Sequence, residues 1–305
     1  MQPKLQNEIH KVISCGFRIF FTLLLMPGPY CLIAAENASV PQPGTACLTV
    51  LSFNIHGERR NVEGWRWDQR QPLVEKVIRD SDPDIFLVQE AVDWNRKPLM
   101  QDFPQYVWLE EPEFPPGDVF KRWGRLGSGD IAFKKDRFES TKDGALIFPP
   151  YDKSPAGDPG FSDIPRGGRW AILKDKLSSN TVAVLSLHLT PYVYKVEGQP
   201  KDLFLQLSVD AIAKWASTLP QNVPLIIGGD FNRSISGELH QRLIQGIPTL
   251  CDAAKAGDLP REGAIDWLLG TSPLVSRSCR YISLKDNNIP ASDHPAVVAV
   301  YDRVE

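Results

Sequence analysis

Two short segments of the chain carry acidic, amide and imidazole side chains at spacings that suit acid–base or metal chemistry. In the first, the apolar run of residues 224–227 is followed by two glycines, a carboxylate (Asp230) and, two positions on, a carboxamide (Asn232). The glycines are predicted to end a buried strand and to let a bulky ligand approach, so both side chains can point at a phosphate-sized group. In the second, Ser292-Asp293-His294 places an acid directly beside a histidine, before the apolar run 296–300.

Polar side chains also follow other apolar runs. The runs at 48–53, 84–88, 182–187 and 225–227 lead into Asn54, Glu90, His188 and Asp230, respectively. Each of these groups can bind a hard metal ion, move a proton or donate to an oxyanion. A rigid core presents a site at one rim when the polar groups stand at strand ends rather than within strands. We therefore expect these four side chains to lie together.

The elements that must position them can be read from periodicity. Strands are predicted over 47–53, 84–88, 130–133, 181–187, 225–227, 265–269 and 296–301, and helical apolar faces over 73–78 and 203–215, ended by Pro83 and Pro220. This mixture indicates an α/β fold with sheets packed face to face and helices outside. The Pro- and Gly-rich segments 110–129 and 148–168 are predicted to be long surface loops that carry substrate contacts.

The motifs, taken in order, resemble the endonuclease/exonuclease/phosphatase superfamily of deoxyribonuclease I-like enzymes. They are Ser-Phe-Asn54, Gln-Glu90, His188-Leu, Gly-Asp230-Phe-Asn232, Ile-Asp266-Trp and Ser-Asp293-His294, and they span residues 47–301. The resemblance implies a two-sheet β-sandwich flanked by helices in four layers, with a phosphoesterase site at one edge of the sheets.

The resemblance further implies a divalent metal ion. Carried over by position, Glu90 is the principal metal ligand, assisted by Asn54 and Asp293. Carboxylate and carboxamide oxygens are the donors that hard cations prefer, which favours Mg²⁺ or Mn²⁺. The sequence has no CxxC motif or Cys/His cluster with zinc spacing.

Catalytic roles follow from the same resemblance. Asp230 orients or deprotonates the attacking water, and Asn232 and His188 donate to the phosphoryl oxygens, where charge builds up in the transition state. His294 lies across the phosphate, and Asp266 holds its other ring nitrogen. A buried His–Asp pair keeps the imidazole in one tautomer and raises its pKa, which suits a group that carries charge or passes a proton near neutrality.

Other polar residues have less defined expectations. Arg169, which shares the segment 166–170 with Arg166, either reaches the phosphate or braces the site, and Asp130 is expected to pair with His188. His56 and His240 stand outside any motif and are expected to be structural or surface residues.

Each motif alone also has an ordinary interpretation. Asn54 suits a turn cap, Glu90 a solvated strand end, and Asp230 with Asn232 an Asx turn. Their joint occurrence in one order favours catalysis over these alternatives.

The N-terminus resembles a targeting segment. Three basic residues precede an apolar stretch and a small residue at Ala35, which predicts a cleaved signal peptide over 1–35, a leader over 36–45 and one domain over 46–305. A membrane anchor is the alternative, but the stretch from Ile19 to Ala35 is short and contains prolines. We expect a secreted or periplasmic protein, in which Cys251 and Cys279 are the favoured disulfide pair.

The net charge of the chain bears on which substrates it can bind. The formal net charge is -3, and removal of residues 1–35 (Lys4, Lys11 and Arg18 against Glu8) leaves 31 basic and 36 acidic residues, or -5. This balance gives no electrostatic basis for tight, non-specific binding of nucleic acid.

The expected function is an exported, metal-dependent phosphoester hydrolase, acting as a monomer on nucleic acid, a phospholipid headgroup or a small phosphoester. The alternatives are a sphingomyelinase-like phospholipid phosphodiesterase and a non-catalytic binding protein on the same scaffold.

Overall fold

The computed structural model describes residues 47–57, 62–110, 129–148, 166–191, 203–256 and 263–303. All of them belong to one compact unit, Pro41–Glu305. The predicted signal peptide and leader lie outside the described residues, as do most of the two predicted loops at 110–129 and 148–168. No helix in the described ranges is both long enough and apolar enough to cross a membrane.

The first sheet has six strands in the order β11-β14-β1-β2-β4-β3. Their bounds are β1 Leu48–Asn54, β2 Ile85–Gln89, β3 Tyr106–Leu109, β4 Asp130–Lys134, β11 Leu274–Ile282 and β14 Ala296–Arg303. Strand β1 is central: it runs parallel to β2 and antiparallel to β14. The ends of β1 and β2 therefore lie at the same edge of the sheet.

The second sheet also has six strands, in the order β5-β6-β7-β8-β10-β9. Its bounds are β5 Phe138–Ile147, β6 Gly167–Asp175, β7 Thr181–His188, β8 Leu225–Asp230, β9 Leu250–Asp252 and β10 Asp266–Thr271. Strands β7 and β8 are parallel neighbours, and β10 pairs antiparallel with β8. A small hairpin, β12 Lys285–Asp286 with β13 Ile289–Pro290, precedes β14.

Helices cover the outer faces of both sheets. Helices α1 (Trp67–Ser81) and α2 (Asp93–Asp102) pack on the first sheet, whereas α3 (Leu203–Ala216) and α4 (Glu238–Gly246) pack on the second; a short 3₁₀ helix spans Ala253–Ala256. The alternation of side chains along β1 shows the layering, because Val50 belongs to the core between the sheets and its neighbour Leu51 to the core under α1. The predicted four-layer sandwich is confirmed.

The predicted end of one strand was wrong. Gly228 and Gly229 do not end a strand, because β8 continues through them to Asp230. Gly229 has a φ of 149°, and a Cβ atom there would lie 1.9 Å from the carbonyl oxygen of Leu187, so a glycine is required for this close pairing.

The favoured disulfide pair, Cys251 with Cys279, is not formed within the part of the chain that the structure describes. Cys251 lies on β9 and Cys279 on β11, which are edge strands of different sheets. Burial raises the pKa of the Cys279 thiol to about 12, so this thiol stays protonated and unreactive near neutrality.

Candidate active site

The register of the strands brings the polar strand ends to one edge of the sandwich. In the first sheet Asn54, the last residue of β1, is opposite Gln89 of β2, so Glu90 follows beside it. In the second sheet Asp230 of β8 is opposite both His188 of β7 and Asp266 of β10. The sequence order of the motifs therefore becomes a row of functional groups at adjacent strand ends.

Asn54 joins the two sheets. Its Nδ2 atom donates to Glu90 Oε1 and to Asp230 Oδ2, at 3.1 Å in each case, and its side chain is fully buried. Its Oδ1 atom accepts the backbone N–H of His56 at 3.0 Å and retains a second lone pair. The amide thus holds two carboxylates, one from each sheet, at a fixed separation.

Glu90 is held by its backbone and by its neighbours. Its φ of 58° turns the chain sharply after β2, and its Oε2 atom accepts the N–H of Gly57 at 2.7 Å. Burial opposes the charge on this carboxyl group, but the influence of His188 and the bonds from Gly57 and Asn54 outweigh it and lower the pKa of Glu90. Glu90 is therefore an ionised oxygen donor at neutral pH.

Asp230 lies at the centre of the site and is almost completely buried. Its Oδ2 atom lies 3.2 Å from His188 Nε2 and 3.7 Å from His294 Nε2, and its Oδ1 atom accepts the N–H of Asn232 at 2.8 Å. Burial would raise its pKa, but the two histidines and the backbone bond together lower the pKa to about 2. A buried carboxylate that stays charged is suited to orienting a water molecule or to accepting a proton from it.

His294 and Asp266 form the predicted pair, with His294 Nδ1 2.9 Å from Asp266 Oδ2. Burial opposes protonation of the imidazole, but Asp266 and Asp230 outweigh it and raise the pKa of His294 to about 9. Burial, with the nearby Asp230 and Asp293, raises the pKa of Asp266 to about 6, against the effect of His294. At neutral pH the pair is an imidazolium–carboxylate pair whose Nε2 side faces Asp230.

Asp293 is oriented by His56, a residue that the sequence did not single out. His56 Nδ1 lies 3.0 Å from Asp293 Oδ1, and the His56 ring packs against Trp65 with centroids 4.9 Å apart. Burial opposes ionisation of Asp293, but the bond from His56 outweighs it and lowers the pKa of Asp293. The only sequence signal for His56 was its position two residues after Asn54.

Among the described residues, Arg166 contacts a strand-end group of the site, whereas the predicted Arg169 pairs elsewhere. Arg166 Nη1 lies 2.9 Å from His188 Nδ1 and 3.2 Å from Nε2. Because a guanidinium group only donates, this contact requires an unprotonated ring nitrogen on His188, and the other nitrogen can donate to Asp230. Arg169, three residues on, instead pairs with Asp143 of β5. Both arginines lie in the segment 166–170 that the sequence analysis singled out. No strand was predicted there, so the alternation of side chains that separates Arg166 from Arg169 was not foreseen.

The remaining expected residues have the following surroundings. The N–H of Asn232 (φ 52°) donates to Asp230 Oδ1, so the Asx turn and the site occur together. The side-chain amide of Asn232 donates to the carbonyl of Leu189 at 2.8 Å. Asp130 lies 3.4 Å from Arg96, and its expected pairing with His188 stays a prediction. His240, on α4, pairs with Asp252 at 2.6 Å, which fits the structural role expected for it.

The donors suit a hard divalent cation. Four carboxyl groups converge here, from Glu90, Asp230, Asp266 and Asp293, and Asp266 Oδ1 is buried with no hydrogen-bond partner among the described residues. Ligand atoms of Asp230, Asp266 and His294 lie within 4.8 Å of one another. Because His294 is held protonated, however, these three residues form an ion pair rather than a set of metal ligands. The ionised Glu90 and Asp293 are therefore the better oxygen ligands.

Comparison with known proteins identifies the family of the chain. The profile of the Endonuclease/Exonuclease/phosphatase family matches residues 51–294, which is most of the chain and includes the whole row of strand-end groups. The chain therefore belongs to the endonuclease/exonuclease/phosphatase family, whose members are hydrolytic phosphoesterases that generally depend on a divalent metal ion. No curated protein matches the sequence.

Solved structures show the same fold at low sequence identity. An endonuclease/exonuclease/phosphatase from Bacteroides vulgatus has a TM-score of 0.70 at 17% identity, over 85% of this chain and 100% of that one. A mannosyl-6-phosphatase from Bacteroides thetaiotaomicron gives 0.65 at 19%, over 83% and 99%. TDP2 from D. rerio, complexed with a single-strand DNA product, gives 0.62 at 15%, over 84% and 99%.

Proposed function

We infer that this chain is a divalent-metal-dependent phosphoester hydrolase with water as the nucleophile. The observation that carries the proposal is the environment of Asp230. Its buried carboxylate is kept charged between His188 and His294, and Asn54 links it to the ionised Glu90 of the other sheet. Such an arrangement provides a proton acceptor, an imidazolium and a metal-binding carboxylate around one small volume.

Each residue has a role that its contacts support. Asp230 orients the attacking water and accepts its proton. The imidazolium of His294, kept in one orientation by Asp266, stabilises negative charge on the phosphoryl group or protonates the leaving oxygen. Arg166 donates to the phosphoryl oxygens, and His188, which accepts from Arg166 and donates to Asp230, keeps both groups oriented.

Glu90, Asn54 and Asp293 would hold Mg²⁺ or Mn²⁺. A divalent ion held there would supply Lewis-acid stabilisation of the phosphoryl oxygens. The fit rests on the lowered pKa values of Glu90 and Asp293 and on the second lone pair of Asn54 Oδ1.

The substrate is the least constrained part of the proposal. One structural relative is a mannosyl-6-phosphatase and another was crystallised with DNA, so the shared fold is compatible with phosphomonoesters and phosphodiesters. The acidic balance of the chain favours a small phosphoester or a headgroup over tightly held nucleic acid.

A substrate panel tests the function. The purified protein with Mg²⁺ or Mn²⁺ is offered sugar phosphates, a p-nitrophenyl diester, sphingomyelin and single-stranded DNA, with Asp230→Ala as the control for contaminating activity. We expect turnover of at least one class by the wild type and roughly 10²–10⁴-fold less by the variant. Binding without turnover across the panel would instead favour the non-catalytic binding protein.

Export is a separate part of the proposal. It is supported by the order of basic, apolar and small residues in the first 35 positions. Mass spectrometry of the protein from its native compartment should give a mature N-terminus at or near Glu36. An intact Met1 on a product from the cytosol would refute export without affecting the proposed chemistry.

A further inference from the structure

Arg70, on helix α1, lies behind the site and contacts none of the expected catalytic groups directly in the described structure. It is fully buried, and its guanidinium makes four hydrogen bonds to backbone carbonyls. Nη1 donates to Ile55 O at 2.9 Å and to Ala291 O at 2.6 Å, Nη2 donates to His56 O at 2.8 Å, and Nε donates to Trp65 O at 3.0 Å. We propose that Arg70 is a positioning residue that holds the metal-ligand set together.

Three of the four carbonyls that Arg70 binds belong to the two segments that carry the proposed ligands. Ile55 directly follows Asn54, and the adjoining Gly57 donates to Glu90. Ala291 precedes Ser292, Asp293 and His294. Residues 70 and 291 are 221 positions apart, so local sequence cannot fix one segment against the other. A planar guanidinium has donors in a rigid fork and can fix several carbonyls at once.

A second bond joins the same two segments. Ser292 Oγ donates to Asn54 O at 2.6 Å. Arg70 and Ser292 therefore connect the exit of β1 to the Asp293–His294 segment from two sides. Groups that orient metal ligands from outside the coordination sphere strongly affect metal affinity.

The charge of Arg70 also favours the proposed role. Burial lowers its pKa to about 10, although Asp293 and Glu90 oppose this change, so the group remains a cation at neutral pH. Its positive charge therefore attracts the carboxylates of Asp293 and Glu90 and adds to the hydrogen bonds that hold the two segments together. A neutral side chain of the same length could not do this.

The test is Mn²⁺ binding to the full chain by isothermal titration calorimetry, without substrate. Arg70→Lys keeps the charge but loses the fork, and we expect it to bind Mn²⁺ about 10- to 100-fold more weakly than the wild type. The matched control is Arg137→Lys, because Arg137 also binds a backbone carbonyl, that of Cys47, and two carboxylates, but at the opposite end of β1. It should bind Mn²⁺ as the wild type does.

The outcomes separate this proposal from the one on which it rests. If the wild type binds no Mn²⁺, the proposed metal-dependent function fails. If the wild type binds but folded Arg70→Lys binds equally well, with only a lower melting temperature, Arg70 is a structural residue and this inference is overturned. Should Arg70→Lys fail to fold, Ser292→Ala, which breaks the second connection, is measured instead. Affinity reduced at least tenfold supports the proposal, and unchanged affinity overturns it.

Discussion

At the scale of single residues, the site depends on environments that keep Asp230 and His294 in opposite charge states. Asp230 is ionised although it is buried, and His294 is protonated although neutral pH lies above the ordinary pKa of histidine. Asp230 stays ionised because of His188, His294 and the N–H of Asn232, and His294 stays protonated because of Asp266 and Asp230. Asp230, His294 and Asp266 should therefore behave as one unit in kinetics.

The first prediction concerns turnover. Asp230→Ala and His294→Ala should each lower turnover by roughly 10²–10⁴-fold, because they act on water and on the charged phosphoryl group in the transition state. Asp266→Asn should have a smaller effect, since asparagine keeps part of the orientation. The double variant Asp230→Ala/His294→Ala should be much less impaired than the product of the single effects. Single-turnover kinetics measures all four.

His240→Ala is the matched control for that series. It breaks another partly buried His–Asp pair, with Asp252, away from the strand-end groups. The variant should melt at a lower temperature but keep the turnover of its folded fraction. If His294→Ala kept wild-type turnover with an unchanged melting curve, the assigned site would be wrong.

The second prediction concerns pH and stability without metal. The pKa of His294 is raised from 6.5 to about 9, so its contribution is fully present below pH 6.5 and is lost as the pH rises through 9. In EDTA, the free energy of unfolding of the wild type should fall between these values by at most about 1.4 kcal/mol per pH unit. Denaturant titrations should show a shallower fall for His294→Gln. Parallel curves for the two proteins would contradict the assigned pKa.

At the scale of elements, the parallel pair β7–β8 sets the distance between His188 and Asp230. The two strands approach so closely at Gly229 that a side chain there would meet the backbone of Leu187. The glycine pair is therefore needed for the pairing of β7 with β8. It affects the active site only because this pairing positions His188 and Asp230.

The third prediction follows from this contact. Gly229→Ala should lower the free energy of unfolding by at least about 3 kcal/mol, because the methyl group meets backbone and the φ is unfavourable. The control is Gly246→Ala, at the end of α4, where the added Cβ meets only the methyl group of Ala213. It should change stability by less than about 1 kcal/mol. Urea denaturation of both variants decides the matter, and equal midpoints would show that the backbone at Gly229 can adjust.

At the scale of the whole molecule, the sequence predicted the buried strands and missed the exposed ones. Strands β1, β2, β7 and β8 are buried almost throughout, so their apolar runs were visible. Strand β5 carries the polar stretch Glu139–Gly144 at a sheet edge, and β11 is likewise half exposed, so neither has an apolar run to detect. Burial decided whether these strands could be predicted, but β6 was missed although five of its nine residues are buried.

The same contrast applies to the site. Residues inside motifs, such as Glu90 and Asp230, could be named in advance because their spacing is local. His56, Arg166 and Arg70 could not, because their importance depends on contacts with Asp293, His188 and Ala291 that only the folded chain creates. Pairings of this kind need the register and the three-dimensional structure.

The most direct test of the central claim is hydrolysis before and after exhaustive chelation, on whichever substrate class the panel identifies. We predict that chelation abolishes turnover and that Mg²⁺ or Mn²⁺ restores it. Glu90→Gln, which keeps the shape of the side chain but removes its charge, should need a much higher metal concentration at little loss of stability. Full turnover by the wild type after chelation would contradict the account of this protein as a metal-dependent phosphoester hydrolase.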